Sequence, residues 1–346
     1  MTGSLTLSRL PAGRVTMAAV ARAAGVSVPT VSRVVNGDGP VAAATRARIE
    51  RLLDEYGYRA PNARPPAAPG LIHVVYPRLD TAWQVEHIRG MEAVAQEAGV
   101  GLIVSALDRG PAGKKDLLRR AQAGQAAGAI LAAASGDTAL GTVLDRLNVP
   151  VVTLDPGAKA AAKLPAVGAA NWQGARAATE HLIALGHRRI GTITGSRGGL
   201  LCNRARLDGY RAALEAAGTA EDPALIRHGE FEYRSGMAAA RQLLDLGDPP
   251  TAIFAFSDYI ALGVYEAARI RGLSIPHDLS VVGFDDLPAA RWASPPLTTV
   301  RQPLQDMGWL AARTVLNLAR RKAPESPRME LATRLVERKS TASPTR

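Results

Sequence analysis

From Leu71 onward the sequence alternates between short apolar runs and helical stretches, and few folds accommodate that pattern. The runs are "LIHVVYP", "GLIVSAL", "AILAAAS", "PVVTLDP", "RIGTITG", "TAIFAFSD" and "LSVVGFDD". Between them lie segments such as "WQGARAATEHLIALGH" and "CNRARLDGYRAALEAAG". Strands apolar on both faces are covered on both sides, and their alternation with helices predicts doubly wound parallel sheets. About 270 residues with ten or so strands exceed one sheet of usual size, so two α/β lobes are expected. "PVVTLDP" and the residues after it would mark the crossing between them.

The chain ahead of Leu71 is different. "RAPNARPPAAPG" places four prolines in twelve residues and reads as a linker, because proline denies the backbone a regular element. Residues 14–59 read as helices. In "ATRARIERLLDEYGY", Ile49, Leu52, Leu53 and Tyr56 form one apolar stripe at i, i+3, i+4 and i+7. In "GVSVPTVSRVVNG" the hydroxyl of Ser27 is suited to cap a helix, with Pro29 in its first turn, where the missing N–H loses no bond. Val28, Pro29, Ser32, Arg33 and Asn36 then share one face, and Val31, Val34 and Val35 occupy the opposite one. Gly25 supplies the turn before it. A helix, a glycine turn and a second helix with a polar face make a helix-turn-helix; a helical hairpin capping a larger domain has the same periodicity.

Charge favours the first of these. The chain has a formal net charge of +11, and its first 70 residues carry nine arginines against four carboxylates. Such a balance suits an anionic partner, although a coding bias toward Arg, Ala, Gly and Pro produces part of the same excess.

The wording of this segment is more specific than its periodicity. "VTMAAVARAAGVSVPTVSRVVNG" and "TRARIERLLDEYGYRAPN" resemble the DNA-binding headpiece of the lactose/galactose repressor family. The likeness continues through "NWQGARAATEHLIALGHRRIGTITG", "RLDGYRAALEAAG", "FAFSDYIALGVYEAARIRGLSIPHDLSVVGFDD" and "LTTVRQP", from Val15 to about Val336. It implies an α/β chain: a lambda-repressor-like helix-turn-helix domain over 14–59, a hinge or linker over 60–70, and a two-lobed periplasmic-binding-protein-like core over 71–340. The lobes would comprise 71–169 with 303–332, and 170–302 with 333–340, leaving tails at 1–13 and 341–346.

The resemblance also assigns roles. Val28, Pro29 and Arg33 would meet base edges in the major groove, Arg33 as a bidentate partner of guanine. Thr16, Ser27, Thr30, Ser32 and Asn36 would hold phosphates. Val28 and Pro29 stand where other members often carry polar readers, so a different sequence preference is expected. Ala42 stands where the family usually caps its third helix with Ser or Thr, a loss of about 1 kcal/mol, unless Thr45 caps a shorter helix. Members commonly wedge a hinge leucine into the minor groove. Here Pro65, Pro66 and Pro69 occupy that segment with no leucine before Leu71, so neither intercalation nor a strong kink is expected.

In open α/β sheets, ligands bind beyond the carboxyl ends of strands. Asp155, Asp258 and Asp285 each end an apolar run, and ionised carboxylates accept from a hydroxyl-rich ligand. Asp258 could equally cap the helix that comes after it. The resemblance adds Arg206 as the effector-holding arginine, Asp285 as an acidic contact, and Trp83, Phe231 and Trp172 as cleft aromatics whose other reading is core packing. Asn171 and Gln302 are further polar candidates. Sugars, mono- or oligosaccharide, are the commonest effectors of such proteins, and nucleobases and other small molecules occur too.

Other classes lack their signatures. Cys202 is the only cysteine, which excludes an intrachain disulfide. The six histidines form no metal-spaced pair, and His187, after a helix end, reads as a dipole partner. No G-x-G-x-x-G follows the first strand and no nucleophile elbow is present. "MTGSLTLSRLPAGR" lacks the apolar run of a secretory signal, and no stretch of about 18 apolar residues occurs. The expectation is therefore a cytoplasmic regulator, not an enzyme, requiring no cofactor, metal or membrane. Its partners would be a pseudo-palindromic double-stranded operator, a small-molecule effector and a second copy of itself. Tetrameric relatives carry a C-terminal leucine-rich helix, and "VERKSTASPTR" offers none, so a dimer is expected. The alternative is a sugar-binding transport receptor with the same core, but those are exported and have no helix-turn-helix.

Overall fold

The computed structural model describes residues 16–36, 41–56, 70–106, 115, 119, 126–132, 149–157, 164–195, 200–324 and 326–345. The chain divides into two compact units, residues 1–68 and 69–346. The linker prolines before Gly70, with the expectation about DNA bending that rests on them, and the tail over 1–13 lie outside the described residues.

The N-terminal unit contains helices α1 (Met17–Ala24), α2 (Val28–Asn36) and α3 (Ala43–Glu55). Thr16 caps α1, its hydroxyl oxygen accepting from the Ala19 amide at 3.4 Å. Gly25 then ends the helix at φ 62°, a left-handed conformation that costs a residue without Cβ little. Two residues later Ser27 caps α2, its Oγ lying 3.3 Å from the Thr30 amide and 2.8 Å from the Thr30 hydroxyl. Val31 and Val34 are buried against Val20, Ala21, Ala24 and Ile49, with Leu52, Leu53 and Tyr56 packed around them. This small core aims the other face of α2 outward. Helix α3 begins directly after Ala42, whose carbonyl accepts from the Arg46 amide at 2.9 Å. Thr45 therefore lies inside the first turn and does not cap a shorter helix, leaving the N-cap without a side-chain acceptor.

The larger unit contains two six-stranded sheets. One is built from β1 (Leu71–Tyr76), β2 (Gly101–Ala106), β3 (Ala126–Ala132), β4 (Val151–Leu154), β5 (Ala166–Ala169) and β11 (Arg328–Leu331), in the order β11-β5-β4-β3-β1-β2. The other takes β6 (Ile190–Thr194), β7 (Ile226–His228), β8 (Ala252–Ala255), β9 (Ser280–Asp285), β10 (Thr298–Arg301) and β12 (Arg334–Val336), in the order β12-β10-β9-β8-β6-β7. Among the described residues every pairing is parallel except β10 with β12. The doubly wound architecture expected from the apolar runs is thus present in both lobes.

Helices α4 (Ala82–Ala98) and α10 (Leu304–Ala319) cover the first sheet, and α5 (Asn171–Ala184), α6 (Leu201–Ala216), α7 (Tyr233–Leu244) and α8 (Asp258–Ile270) cover the second. The short α9 (Pro288–Trp292) follows β9. Helices α4 and α10 approach through Gly90 and Gly308, where an added Cβ would fall 1.8 Å from the Gln305 carbonyl oxygen and 2.1 Å from that of His87.

The chain passes between lobes three times: from β5 to α5, from β10 to α10, and from β11 to β12. The first passage follows β5, one strand beyond "PVVTLDP", because "AVGA" is itself a strand. His187 is not a dipole partner. It is 1% exposed, with Nδ1 2.9 Å from Thr251 Oγ1 and Nε2 2.9 Å from the Ala342 carbonyl. Burial lowers its pKa, which keeps the ring neutral. Ser280 exchanges hydrogen bonds with both backbone groups of Ala342, tying the C-terminal segment to the second lobe.

Candidate functional site

Both sheets direct the carboxyl ends of their strands toward one cleft. Tyr76 ends β1, Asp155 follows β4, Ser257 follows β8 and Asp285 ends β9. They line a cavity of about 340 Å³ between the lobes, together with Trp83, Arg206 and Phe231. Asp155 and Asp285 hold positive φ values of 44° and 125°, and Asp286 follows at 59°. Such conformations cost about 1–3 kcal/mol each. Asp286 is anchored by ion pairs to Arg301 and Arg338, with its carboxylate 1% exposed, and this pins the turn that presents Asp285.

Arg206 enters the cavity from α6 and is 3% exposed. Its Nε donates to Asn171 Oδ1 at 2.8 Å, and Nη1 donates to the Phe256 carbonyl. The Phe284 ring lies 3.7 Å from the guanidinium carbon, and the Phe231 ring 5.9 Å from it. The rings and the two fixed hydrogen bonds leave the guanidinium one orientation, in which its other N–H groups serve the cleft. Burial raises the Asp155 pKa to about 6 and the Asp285 pKa to about 7, with the Arg206 charge opposing both shifts.

Trp83 is held edge-on between Tyr76 and His87, with ring centroids 6.2 and 4.1 Å away. His87 is fully buried behind it, and desolvation lowers its pKa to about 3, so the ring is neutral. Among the described residues, two polar contacts join the lobes at the cleft mouth. Arg78 meets Glu232 at 2.5 Å, and the Tyr259 hydroxyl accepts from the Ala82 amide at 3.3 Å.

Five of the nine residues expected at an effector therefore line this cavity: Trp83, Asp155, Arg206, Phe231 and Asp285. Four do not. Asp258 is turned beneath the sheet, where its carboxylate accepts from the Leu287 amide at 2.7 Å and the Thr299 hydroxyl at 2.5 Å. Nor does it cap α8, since Ser257 accepts from the Ile260 amide at 3.2 Å. Asn171 stands behind Arg206 and also donates to the Ala169 carbonyl at 2.9 Å. Gln302 stands behind Asp285, donating to its Oδ1 at 2.6 Å. Trp172 lines a separate cavity of about 120 Å³ on the far side of Asp155, with Arg176 over its ring. Tyr76 and Ser257 were missed, though the strand-end rule that selected the aspartates applies to both. Arg78, Asp80, Thr81, Gln84, Glu230 and Tyr259 come from loops and helix starts without a comparable signal.

These placements give a first prediction. Asp258→Ala leaves two buried donors unpaired, each costing about 1–3 kcal/mol. It should lower stability by about 2–6 kcal/mol in urea denaturation, yet weaken effector binding less than Asp285→Ala does. An effector affinity lost equally in both variants would return Asp258 to the ligand.

On the headpiece, Val28, Pro29 and Arg33 are exposed on α2, with Ser32 partly so. Thr16, Ser27 and Thr30 lie at the amino ends of α1 and α2, where backbone N–H groups and the helix dipole favour an anion. Asn36 closes α2; its side chain lies outside the described residues.

A helix-turn-helix joined to a two-lobed core with a polar, aromatic-walled cleft defines a ligand-responsive DNA-binding regulator. Residues 16–62 match the family described as bacterial regulatory proteins, lacI family, and residues 179–341 match the periplasmic binding protein-like domain. The chain belongs to the lacI family. It is 36% identical over 342 residues to the HTH-type transcriptional regulator CelR of Thermobifida fusca, covering 94% of this chain and 98% of that protein. It is 34% identical over 330 residues to the HTH-type transcriptional regulator DegA of Bacillus subtilis, covering 93% and 97%. Among solved structures, a CelR–cellobiose complex superposes with a TM-score of 0.72 at 32% identity, over 94% of this chain and 100% of that one. A lac repressor dimer bound to operator and the anti-inducer ONPF gives 0.72 at 29% identity, over 95% and 100%. The relatives are regulators of transcription, and among the described residues no helix is long and apolar enough to cross a membrane.

Proposed function

We propose that the protein is a repressor of carbohydrate-utilisation genes, released from its operator when a sugar binds between the lobes. The observation that carries this reading is the inter-lobe cavity itself. Asp155 and Asp285 accept from ligand hydroxyls, the remaining Arg206 N–H groups donate to ligand oxygens, and Trp83 and Phe231 offer faces to the C–H surface of a pyranose. The cellobiose held by a solved CelR is a ligand of this chemistry.

On DNA, Arg33 reads guanine, Val28 and Pro29 make apolar contacts to base edges such as a thymine methyl, and Thr16, Ser27, Thr30, Ser32 and Asn36 hold phosphates. Two copies place their headpieces in successive major grooves, about 10 bp apart, as a cytoplasmic homodimer. The lac repressor dimer on its operator supports that stoichiometry. Effector binding favours the state whose headpieces no longer match the half-site spacing. A footprint upstream of the protein's own gene, repeated with a panel of sugars, tests the reading. A protected pseudo-palindrome released by one sugar is expected. Protection that no sugar disturbs would remove the sugar from the proposal.

Effector affinity should depend on pH near neutrality. A hydroxyl donor favours the ionised carboxylates, whereas in the free cleft Asp285 protonates near pH 7 and Asp155 near pH 6. Lowering the pH through this window forces the ligand to expel protons. Affinity should fall by a factor of about ten or more between roughly pH 8 and pH 5.5, measured by calorimetry. A flat profile would mean that the ligand does not engage these carboxylates.

A further inference from the structure

The chain is basic, with a formal charge of +11, yet the charged groups among the described residues lining its cleft are mainly acidic. They comprise four carboxylates, Asp80, Asp155, Glu230 and Asp285, against two guanidinium groups, Arg78 and Arg206. Arg78 is already matched twice, by Asp80 at 3.2 Å and by Glu232 at 2.5 Å. Arg206 faces two buried carboxylates at once, and no lysine is among the described residues lining the cavity. Neither cation has charge to spare for an anionic ligand.

A second observation points to the ligand's own groups. Tyr76 is fully buried on the cavity wall, and its hydroxyl has no hydrogen-bond partner among the described residues. A phenol so placed donates to any ligand oxygen, so it favours an oxygen-rich ligand, and the charge balance of the wall decides between neutral and anionic ones.

Taking the cleft as the effector site, we infer that it selects uncharged, hydroxyl-rich ligands and rejects anionic ones: a neutral glycoside enters, and its aldonate, uronate or phosphate counterpart does not. An entering anion would meet Asp155 and Asp285, a buried pair of carboxylates that share one guanidinium, with the exposed Asp80 and Glu230 at the rim. It would be tolerated only if Asp155 and Asp285 took up protons, and burial has already brought both close to doing so near neutrality. The two ligand classes therefore exchange protons with opposite sign. A neutral glycoside expels protons and binds more tightly as pH rises. An anion draws them in and binds more tightly as pH falls.

The test is calorimetric titration of the full-length protein with matched pairs: cellobiose and cellobionate, lactose and lactobionate, adenosine and AMP. The neutral member should bind at least roughly 100-fold more tightly than its anion at about pH 8. A parallel thermal scan with millimolar inorganic phosphate should show no stabilisation beyond that of chloride at equal ionic strength. An anionic member that binds as tightly as its neutral partner overturns the inference. So does a phosphate-specific rise in Tm that Arg206→Ala abolishes. If no glycoside binds in either form, the sugar-effector reading fails separately, and the nucleoside pair and the phosphate scan still decide the charge preference.

Discussion

Arg206→Ala should give a repressor that still protects its operator at sugar concentrations that release the wild type. The substitution removes the guanidinium buried in the cleft and orphans the two acceptors it serves, Asn171 Oδ1 and the Phe256 carbonyl. It also removes the charge that opposes protonation of Asp155 and Asp285, so near neutrality both become poorer acceptors as the main donor disappears. Truncating one member of a buried, hydrogen-bonded charge network costs about 2–5 kcal/mol of binding, roughly 30- to 5,000-fold in Kd. Calorimetry reads that loss, and the footprint reads its consequence. Protection without ligand serves as the folding control, because the headpiece helices hold none of the altered contacts. Release of the variant at the wild-type sugar concentration would remove Arg206 from the effector site.

Arg33→Ala should have the opposite phenotype, with effector binding intact and operator recognition lost. Arg33 is exposed on α2, so its removal should alter stability by no more than about 0.5 kcal/mol. A bidentate contact to guanine provides about 1–3 kcal/mol of discrimination. Two half-sites double this in a dimer, giving roughly 30- to 25,000-fold weaker operator binding. Binding to unrelated DNA should weaken far less, because it depends on phosphate contacts. Arg33→Lys keeps the charge and loses the fork, and should recover only the non-specific part. Equal losses on operator and on unrelated DNA would make Arg33 a phosphate contact instead.

Most strands that could be read in the sequence are buried on both faces; the edge strand "GLIVSA" is half-buried but apolar, and the short buried strands "AVGA" and "TTVR" passed unread. "LIHVVY", "AIFA" and "SVVGFD" are central strands, and burial on both sides leaves them almost purely apolar. "IRH", "RMEL" and "RLV" lie at sheet edges, half exposed, and carry no such run, so β7, β11 and β12 passed unread.

The cleft was legible to the same depth. Three aspartates stood at strand ends, but a strand end says where a side chain begins and not which way it turns. Asp285 and Asp258 are equivalent in the sequence pattern. The left-handed backbone at 285 and 286 turns one into the cavity, and the Leu287 amide and Thr299 hydroxyl draw the other beneath the sheet. Asn171 and Gln302 were placed one layer too far forward, because they bind the groups that line the cavity and do not line it themselves. Glu230 and Asp80, which set the sign of the cleft's charge, come from loops whose course only the fold determines.

Three separate segments cross from one lobe to the other, after Ala169, after Arg301 and after Leu331, each leaving the end of a strand. One connection would let the lobes swivel about any axis, and a second would leave them free to rock. Three crossings restrain twisting and translation more than they restrain the angle of opening. Free energy released by a ligand in the cleft is therefore channelled mainly into that angle, so chemically different effectors can share one mechanical output.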